Sequence, residues 1–409
     1  MSPDSLTLPA GTATPAPRRR LPLVVHVLAV GTFLMLTTEF VVAGLLPEIA
    51  GDLQVTVARA GLLITVFAVG MVVGSPAMAL LTRRMPARTT LVLALVVFAV
   101  GHLVVALASS FALVLAARFG TAFATGAFWS VASVAATRAA GPGASARALG
   151  LVGAGGMLAN VVGVPLGAFA GQLSGWRGPF WALAVLALAA APLVARYVPR
   201  QESRPQPVSL RAELGAMRSG RLWLVLAACA TTTGGVLSAY SYVSPLLTDR
   251  AGIAPGWVPV VLVGFGVGSL IGTIVGGRLG DTHPHATTIT VAASTAVVLL
   301  AICVLGASPV PTVLLVVLLG LIGLSANPVL SALAVRFAGV APTLGVALSV
   351  AAYNLGTAVG SGIAGSALES GLGATGPALV GLGCAVLPLV PTIALARLAA
   401  SGPLLRRRP

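Results

Sequence analysis

PLVVHVLAVGTFLMLTTEFVVAGLL, residues Pro22 to Leu46, is an apolar run that carries a single acidic residue, Glu39. At ~1.5 Å per residue, a helix of this length crosses a hydrocarbon core of ~30 Å and places Glu39 in the outer half of the span. An ionised carboxylate facing lipid is costly. Glu39 must therefore face a protein interior or a wet cavity, or carry a proton for part of its time. It reads either as a hydrogen-bonding strut between helices or as a proton or ligand site.

Comparable runs recur along all 409 residues, of which 57% are hydrophobic and 8% charged, against roughly 25% charged in soluble domains. The class is an all-α integral membrane protein. The net charge of +15 does not form a basic patch interleaved with aromatics, so nucleic acid is not an expected partner; the lipid bilayer is. All 24 basic residues are arginines, and 20 of them fall on the side of the N-terminus, including Arg83 and Arg88. Arg59, Arg177 and Arg250 fall on the opposite side, and Arg118 is left inside a span. The positive-inside rule then places both termini in the cytoplasm of a cell whose inner membrane the chain crosses an even number of times. Cys229, Cys303 and Cys384 lack metal-type spacing.

Cutting at Gly, Pro and Arg clusters divides the chain into a disordered tail (1–20), a six-helix bundle (21–198), a cytoplasmic linker (199–221), a second six-helix bundle (222–398) and a basic tail (399–409). Twelve transmembrane helices in two six-helix halves result. An offset of 198 aligns Gly70 with Gly268, Gly74 with Gly272, Pro86 with Pro284 and Thr89-Thr90 with Thr287-Thr288, the mark of a duplicated unit. Rows of small residues at four-residue spacing occupy the fifth span (Gly155, Ala159, Gly163, Gly167, Gly171) and the eighth (Gly264, Gly268, Gly272, Gly276). Shorter rows mark the second (Gly70, Gly74) and the eleventh (Gly356, Gly360). Such rows let backbones approach, either as static packing or as an interface on which two halves slide.

Catalysis finds little support, since there is no paired intramembrane carboxylate and no phosphate-binding glycine loop, and no metal or cofactor is expected. His26, His102, His283 and His285 read as residues at span ends or in a loop. Arg118, Thr121, Thr125 and Trp129 share one face of the fourth span, a stripe suited to a cavity wall. Thr38, Asn160, Tyr240, Tyr242, Asn327 and Asn354 add polar groups at membrane depth that could bind a small molecule or staple helices.

Twelve spans with these loops resemble the major facilitator superfamily, from about Pro22 to Arg397. Gly277-Arg278-Leu279-Gly280-Asp281 resembles that family's loop signature, whereas the first-half copy around Arg83 and Arg84 lacks its Gly and Asp. Arg118 with Gly120 and Gly126 is similar to the fourth-helix motif of proton-coupled members. Gly163-Val164-Pro165-Leu166-Gly167 resembles the fifth-helix motif of exporters. Thr38-Glu39-Phe40 with Gly44-Leu45-Leu46-Pro47, and Gly175-Trp176-Arg177 with Phe180, look like the twelve-span drug:proton antiporter branch. The resemblance implies a monomeric transporter, not an enzyme, that exports a small amphipathic compound such as a chloramphenicol-like drug in exchange for protons. Glu39 and Arg118 would couple protons, and Arg83, Arg88, Gly163, Pro165, Gly167, Gly277 and Asp281 would serve conformational change. Export of an endogenous sugar, nucleoside or amino-acid-like metabolite is the alternative, and a non-transporting membrane sensor the remaining rival.

Overall fold

A computed structural model describes residues 21–81, 85–141, 144–200, 215, 217–339 and 341–400. Among these residues twelve helices are long and apolar enough to cross a membrane. The first half comprises α1 (Leu23–Gly44), α2 (Val57–Ser75), α3 (Ala87–Leu107), α4 (Phe111–Ala140), α5 (Arg147–Ser174) and α6 (Gly178–Tyr197). The second comprises α7 (Gly220–Ser241), α8 (Pro255–Thr282), α9 (Pro284–Leu305), α10 (Pro309–Phe337), α11 (Leu344–Glu369) and α12 (Gly373–Ala400). The offset of 198 carries the start of every first-half helix to within three residues of its counterpart. The N-terminal tail, Arg83, most of the linker and the chain beyond residue 400 lie outside the described residues.

Helix is the only open solution for a spanning segment, because hydrocarbon offers no partner to backbone N–H and C=O groups. Proline opens α9 and α10 at positions where its missing N–H is harmless. Gly141 and Gly175, both at φ +76°, end α4 and α5 in a conformation that other residues resist. Three spans are interrupted near prolines. α5 widens into a π turn over Ala159–Gly163 just before Pro165, and α10 breaks between Gly323 and Asn327 before Pro328. α12 breaks between Val386 and Leu389, before Pro391. In each case the proline removes one helical hydrogen bond and crowds the carbonyl four residues earlier.

The glycine rows face into their own halves. A Cβ on Gly163, Gly167 or Gly171 of α5 would strike Thr37, Val41 or Leu45 of α1, and one on Gly70 or Gly74 of α2 would strike α4 at Ala122 or Phe123. The second half repeats the scheme. Gly268 and Gly272 of α8 seat against Val317 and Leu321 of α10, and Gly356 and Gly360 of α11 against Ala230 and Gly234 of α7. Second helix on fourth and fifth on first is thus the packing rule of each half. Of the two readings left open for these rows, this geometry carries packing within a half, because each row meets a helix of its own half.

The seam between halves does use α2, α5, α8 and α11, on other faces. Thr65 Oγ1 meets Ser361 Oγ at 2.8 Å, and Thr56 Oγ1 donates to Glu369 Oε1 at 2.5 Å. Gln172 Nε2 donates to the Pro255 carbonyl at 2.7 Å, and the Tyr242 hydroxyl lies between Gly61 and Gly365 with the Ser361 carbonyl at 3.2 Å. Gly266 of α8 admits the backbone of Asn160 and Val161. The hydrogen bonds among these lie toward the end of the bundle that carries the α1–α2 hairpin, called here the hairpin face. There one continuous apolar core, running from Val41 and Leu63 to Leu246 and Phe265, joins both halves. Toward the opposite, linker face the two halves keep separate cores.

Asp52 and Arg177 form an ion pair at the hairpin face that ties the α1–α2 turn to the α5–α6 turn, with Arg177 also donating to the Ala108 carbonyl at 2.9 Å. The bond to Arg177 holds the Asp52 carboxyl below its ordinary range. A depressed carboxyl contributes stability above its unfolded value of about 3.9 and loses it as pH falls through the folded value. Asp52→Asn should therefore lower the thermal midpoint slightly at pH 7, and the difference should begin to shrink below about pH 4 and vanish once pH is below the folded value. The packing scheme yields a second expectation. Gly163→Leu and Gly272→Leu should each cost about 1–3 kcal/mol or more of packing within a half, so membrane yield and thermal midpoint fall together with transport; full yield with transport alone lost would return the rows to a moving interface.

Candidate functional site

Arg118 of α4 is 1% exposed and meets only neutral oxygens. Its Nη1 donates to the Thr38 carbonyl at 3.0 Å and to Thr38 Oγ1 at 2.7 Å. Nη2 reaches the Glu39 carbonyl and Nε the Leu63 carbonyl, each at 3.4 Å, while the Phe67 ring lies 4.4 Å beneath the guanidinium carbon. This is the point at which α1 leaves α-helical geometry for the 3-10 turn Val42–Gly44. A cation suits the partial negative charge at the C-terminal end of a helix.

Thr38 carries the contact onward. Its Oγ1 lies 2.7 Å from His102 Nε2 of α3, and His102 Nδ1 lies 2.7 Å from the Phe98 carbonyl. A carbonyl only accepts, so Nδ1 bears the proton, and in the neutral ring Nε2 accepts. The direction is then fixed: Arg118 donates to Thr38, Thr38 to His102, and His102 to Phe98. Both Thr38 and His102 are buried.

Glu39 stands apart from this relay. Only its backbone carbonyl touches Arg118, and among the described residues no ion pair within 4.0 Å involves its carboxylate. The side chain is partly accessible among the packed helices. Its neighbour Phe40 meets the Tyr240 ring of α7 edge-on at 5.8 Å, and Tyr240 stacks on Phe265 of α8 at 4.2 Å. These three rings bridge the halves next to Glu39. Asn354 of α11 lies one helical turn from Val350, which packs beside Phe67 and Met71 across the seam. Asn354 Nδ2 donates to the Val350 carbonyl at 3.0 Å, and its buried Oδ1 has no partner among the described residues.

The other expected site residues fall elsewhere. Thr121 returns its hydroxyl to the Arg118 carbonyl and packs its methyl on Gly101 of α3. Thr125 bonds the Thr121 carbonyl and lies against Met35 of α1. Both are buried, with their hydroxyls taken up by their own helix. Trp129 and Asn160 are half-buried, one beside Gly156 and the other in the π turn of α5, nearer the linker face. Arg88 is half-buried in the first turn of α3, Gly277 packs loosely near Pro328, and Asp281 is exposed with no ion pair among the described residues. Above the aromatic bridge a cavity of about 400 Å³ opens at the seam, lined in part by Glu48, Gln172, Asp249 and Pro255. Burial pushes the Glu48 carboxyl up.

His102 is the residue that sequence reasoning passed over. Its signal was present: beyond the first turn of α3 it is the one polar side chain in the run from Leu91 to Leu107. Its pairing with Thr38 had no signal, because the two are 64 residues apart.

The sequence profile of the Major Facilitator Superfamily matches residues 28–365. The chain is similar to a chloramphenicol resistance protein of Streptomyces lividans, 36% identical over 360 residues that cover 87% of this chain and 92% of that one. Among solved structures it is similar to a bacterial homolog of the human lysosomal transporter Spinster in an inward-facing and occupied conformation, with TM-score 0.73, 17% identity, and coverage of 92% of this chain and 96% of that chain. A D-xylose–proton symporter aligns with TM-score 0.76 and 15% identity over 90% of this chain and 96% of that one. At these identities the two structures speak for the fold alone.

Proposed function

The chain belongs to the major facilitator superfamily, and from that premise we propose that it exports a small, mostly apolar, amphipathic compound of the phenicol type in exchange for protons. That it is a multi-pass membrane transporter and not an enzyme follows from the family itself. The observation that carries the finer reading is the Glu39 carboxylate, which is partly accessible and without an ion-pair partner among the described residues. The chloramphenicol resistance relative supports the cargo class.

The positive-inside bias supports an orientation with the hairpin face outside the cytoplasmic membrane and both termini inside. The conformation closed at the hairpin face is then the one that admits cargo from the cytoplasm. Ionised Glu39 accepts the polar end of the cargo, with the Tyr240 hydroxyl and Asn354 Oδ1 as further hydrogen-bonding groups. Phe40, Phe67 and Phe265 offer apolar faces, and Trp129 and Asn160 flank the approach from the linker side. Opening at the hairpin face exposes Glu39 to external protons; protonation removes its charge and releases cargo. The protonated carrier turns inward and loses the proton to the cytoplasm. One chain holds both halves, so a monomer suffices for the cycle, and no cofactor enters it.

Reconstitution of wild type and Glu39→Gln into liposomes with an internal pH dye tests this cycle. Chloramphenicol should drive proton flux in wild type and none in Glu39→Gln, while the variant still binds the drug. Flux of equal size in both would remove Glu39 from the coupling role; silence in both, with chloramphenicol unbound, would overturn the cargo class.

A further inference from the structure

Thr38 departs from the habit of its own helix. Thr32 and Thr37 of α1 return their hydroxyls to the carbonyls four residues back, Leu28 at 2.9 Å and Phe33 at 2.7 Å, which is the local alternative open to any helical threonine. Thr38 turns its hydroxyl hydrogen to His102 instead, and so keeps its oxygen in line with Arg118 Nη1, each contact 2.7 Å long. The transport cycle described above makes no use of His102. Yet the ring is 1% exposed, with both nitrogens bonded and its face 3.9 Å from Phe98 and 5.8 Å from Phe180.

We propose that His102 is a positioning residue: by accepting the Thr38 hydroxyl, it holds the Arg118 guanidinium on the backbone of α1 and off the Glu39 carboxylate. Threonine has two open rotamers in a helix. Without an acceptor at His102 its hydroxyl turns to the carbonyl four residues back, that of Leu34, and Nη1 loses one of its two acceptors. The guanidinium already touches the Glu39 backbone carbonyl at 3.4 Å. A carboxylate is a stronger acceptor than any carbonyl, so the released donor swings onto it. Glu39 is then ion-paired and closed to cargo and protons alike. The consequence for transport rests on the reading of Glu39 as the coupling group; the geometry asserted for Arg118 does not.

Reaction of Glu39 with dicyclohexylcarbodiimide, which attacks protonated carboxyls in apolar surroundings, reads that geometry on the purified full chain by peptide mass spectrometry. An adjacent guanidinium favours the ionised carboxylate by about tenfold or more, so His102→Leu should label Glu39 at least about tenfold more slowly than wild type. His102→Gln, whose amide oxygen can stand where Nε2 does, should label at the wild-type rate. Thr38→Val breaks the relay from its other side and should slow labelling as His102→Leu does, with the double variant no slower than either. Glu48, outside the spans, should label equally in all and so reports an intact fold. Wild-type labelling in His102→Leu, or a His102→Gln variant as slow as His102→Leu, overturns the proposal; should His102→Leu fail to fold, wild-type labelling in Thr38→Val does the same. Because the readout needs no transport, absence of drug-driven flux would count against the antiport cycle and leave this result standing.

Discussion

A guanidinium that cannot shed its proton is buried in a bundle of hydrocarbon-facing helices, and the first half is arranged around that fact. Burying a charge costs several kcal/mol unless each donor finds an oxygen. The oxygens that serve Arg118 come from the backbones of α1 and α2 and from the Thr38 hydroxyl, which α3 steadies through His102. One cation on α4 thereby fixes the register of the three helices before it. Because every acceptor is neutral, its charge is left uncompensated by direct contact, and the nearest acidic side chain in sequence to those acceptors, Glu39, feels that charge without being captured by it.

The duplication sharpens this. At the offset of 198, Thr38, Glu39, His102 and Arg118 correspond to Val236, Leu237, Leu300 and Val316. The second half repeats the helices and their packing, and it has an apolar residue at each position of the polar relay. The buried charge and its relay lie in the first half, and the second half meets them through Tyr240, whose ring lies against Phe40 and Phe265. A repeat in sequence therefore encodes a repeat in scaffold and not in the polar relay.

Much of the scaffold was legible because hydrocarbon imposes a length and a composition on any helix that crosses it. Twelve spans, their pairing into halves and the special standing of the second, fifth, eighth and eleventh helices follow from apolar runs, arginine placement and glycine spacing. What periodicity cannot say is which neighbour a face meets. Spacing left the glycine rows of α5 and α8 open between packing within a half and a sliding interface, and only the fold shows that Gly163 meets Thr37 and Gly272 meets Leu321, each within its own half. The same limit governs the site. Glu39 and Arg118 stand out because a charge in an apolar run is conspicuous. Thr121 and Thr125 share a helical stripe with Arg118, yet their hydroxyls are absorbed by their own backbone. The relay through Thr38 and His102 depends on two side chains that only the tertiary fold brings together.

The apolar core that joins the halves at the hairpin face has a thermodynamic consequence. Among the described residues only a few side-chain hydrogen bonds cross the seam there, and beside them lies buried hydrocarbon from Val41, Leu63, Leu246 and Phe265. Surface of that kind, when wetted, raises the heat capacity of the system, and the attraction that hides it weakens on cooling. The balance between the two faces of this molecule is therefore tied to temperature through water, so that cold loosens the hairpin side even where every hydrogen bond across it is retained.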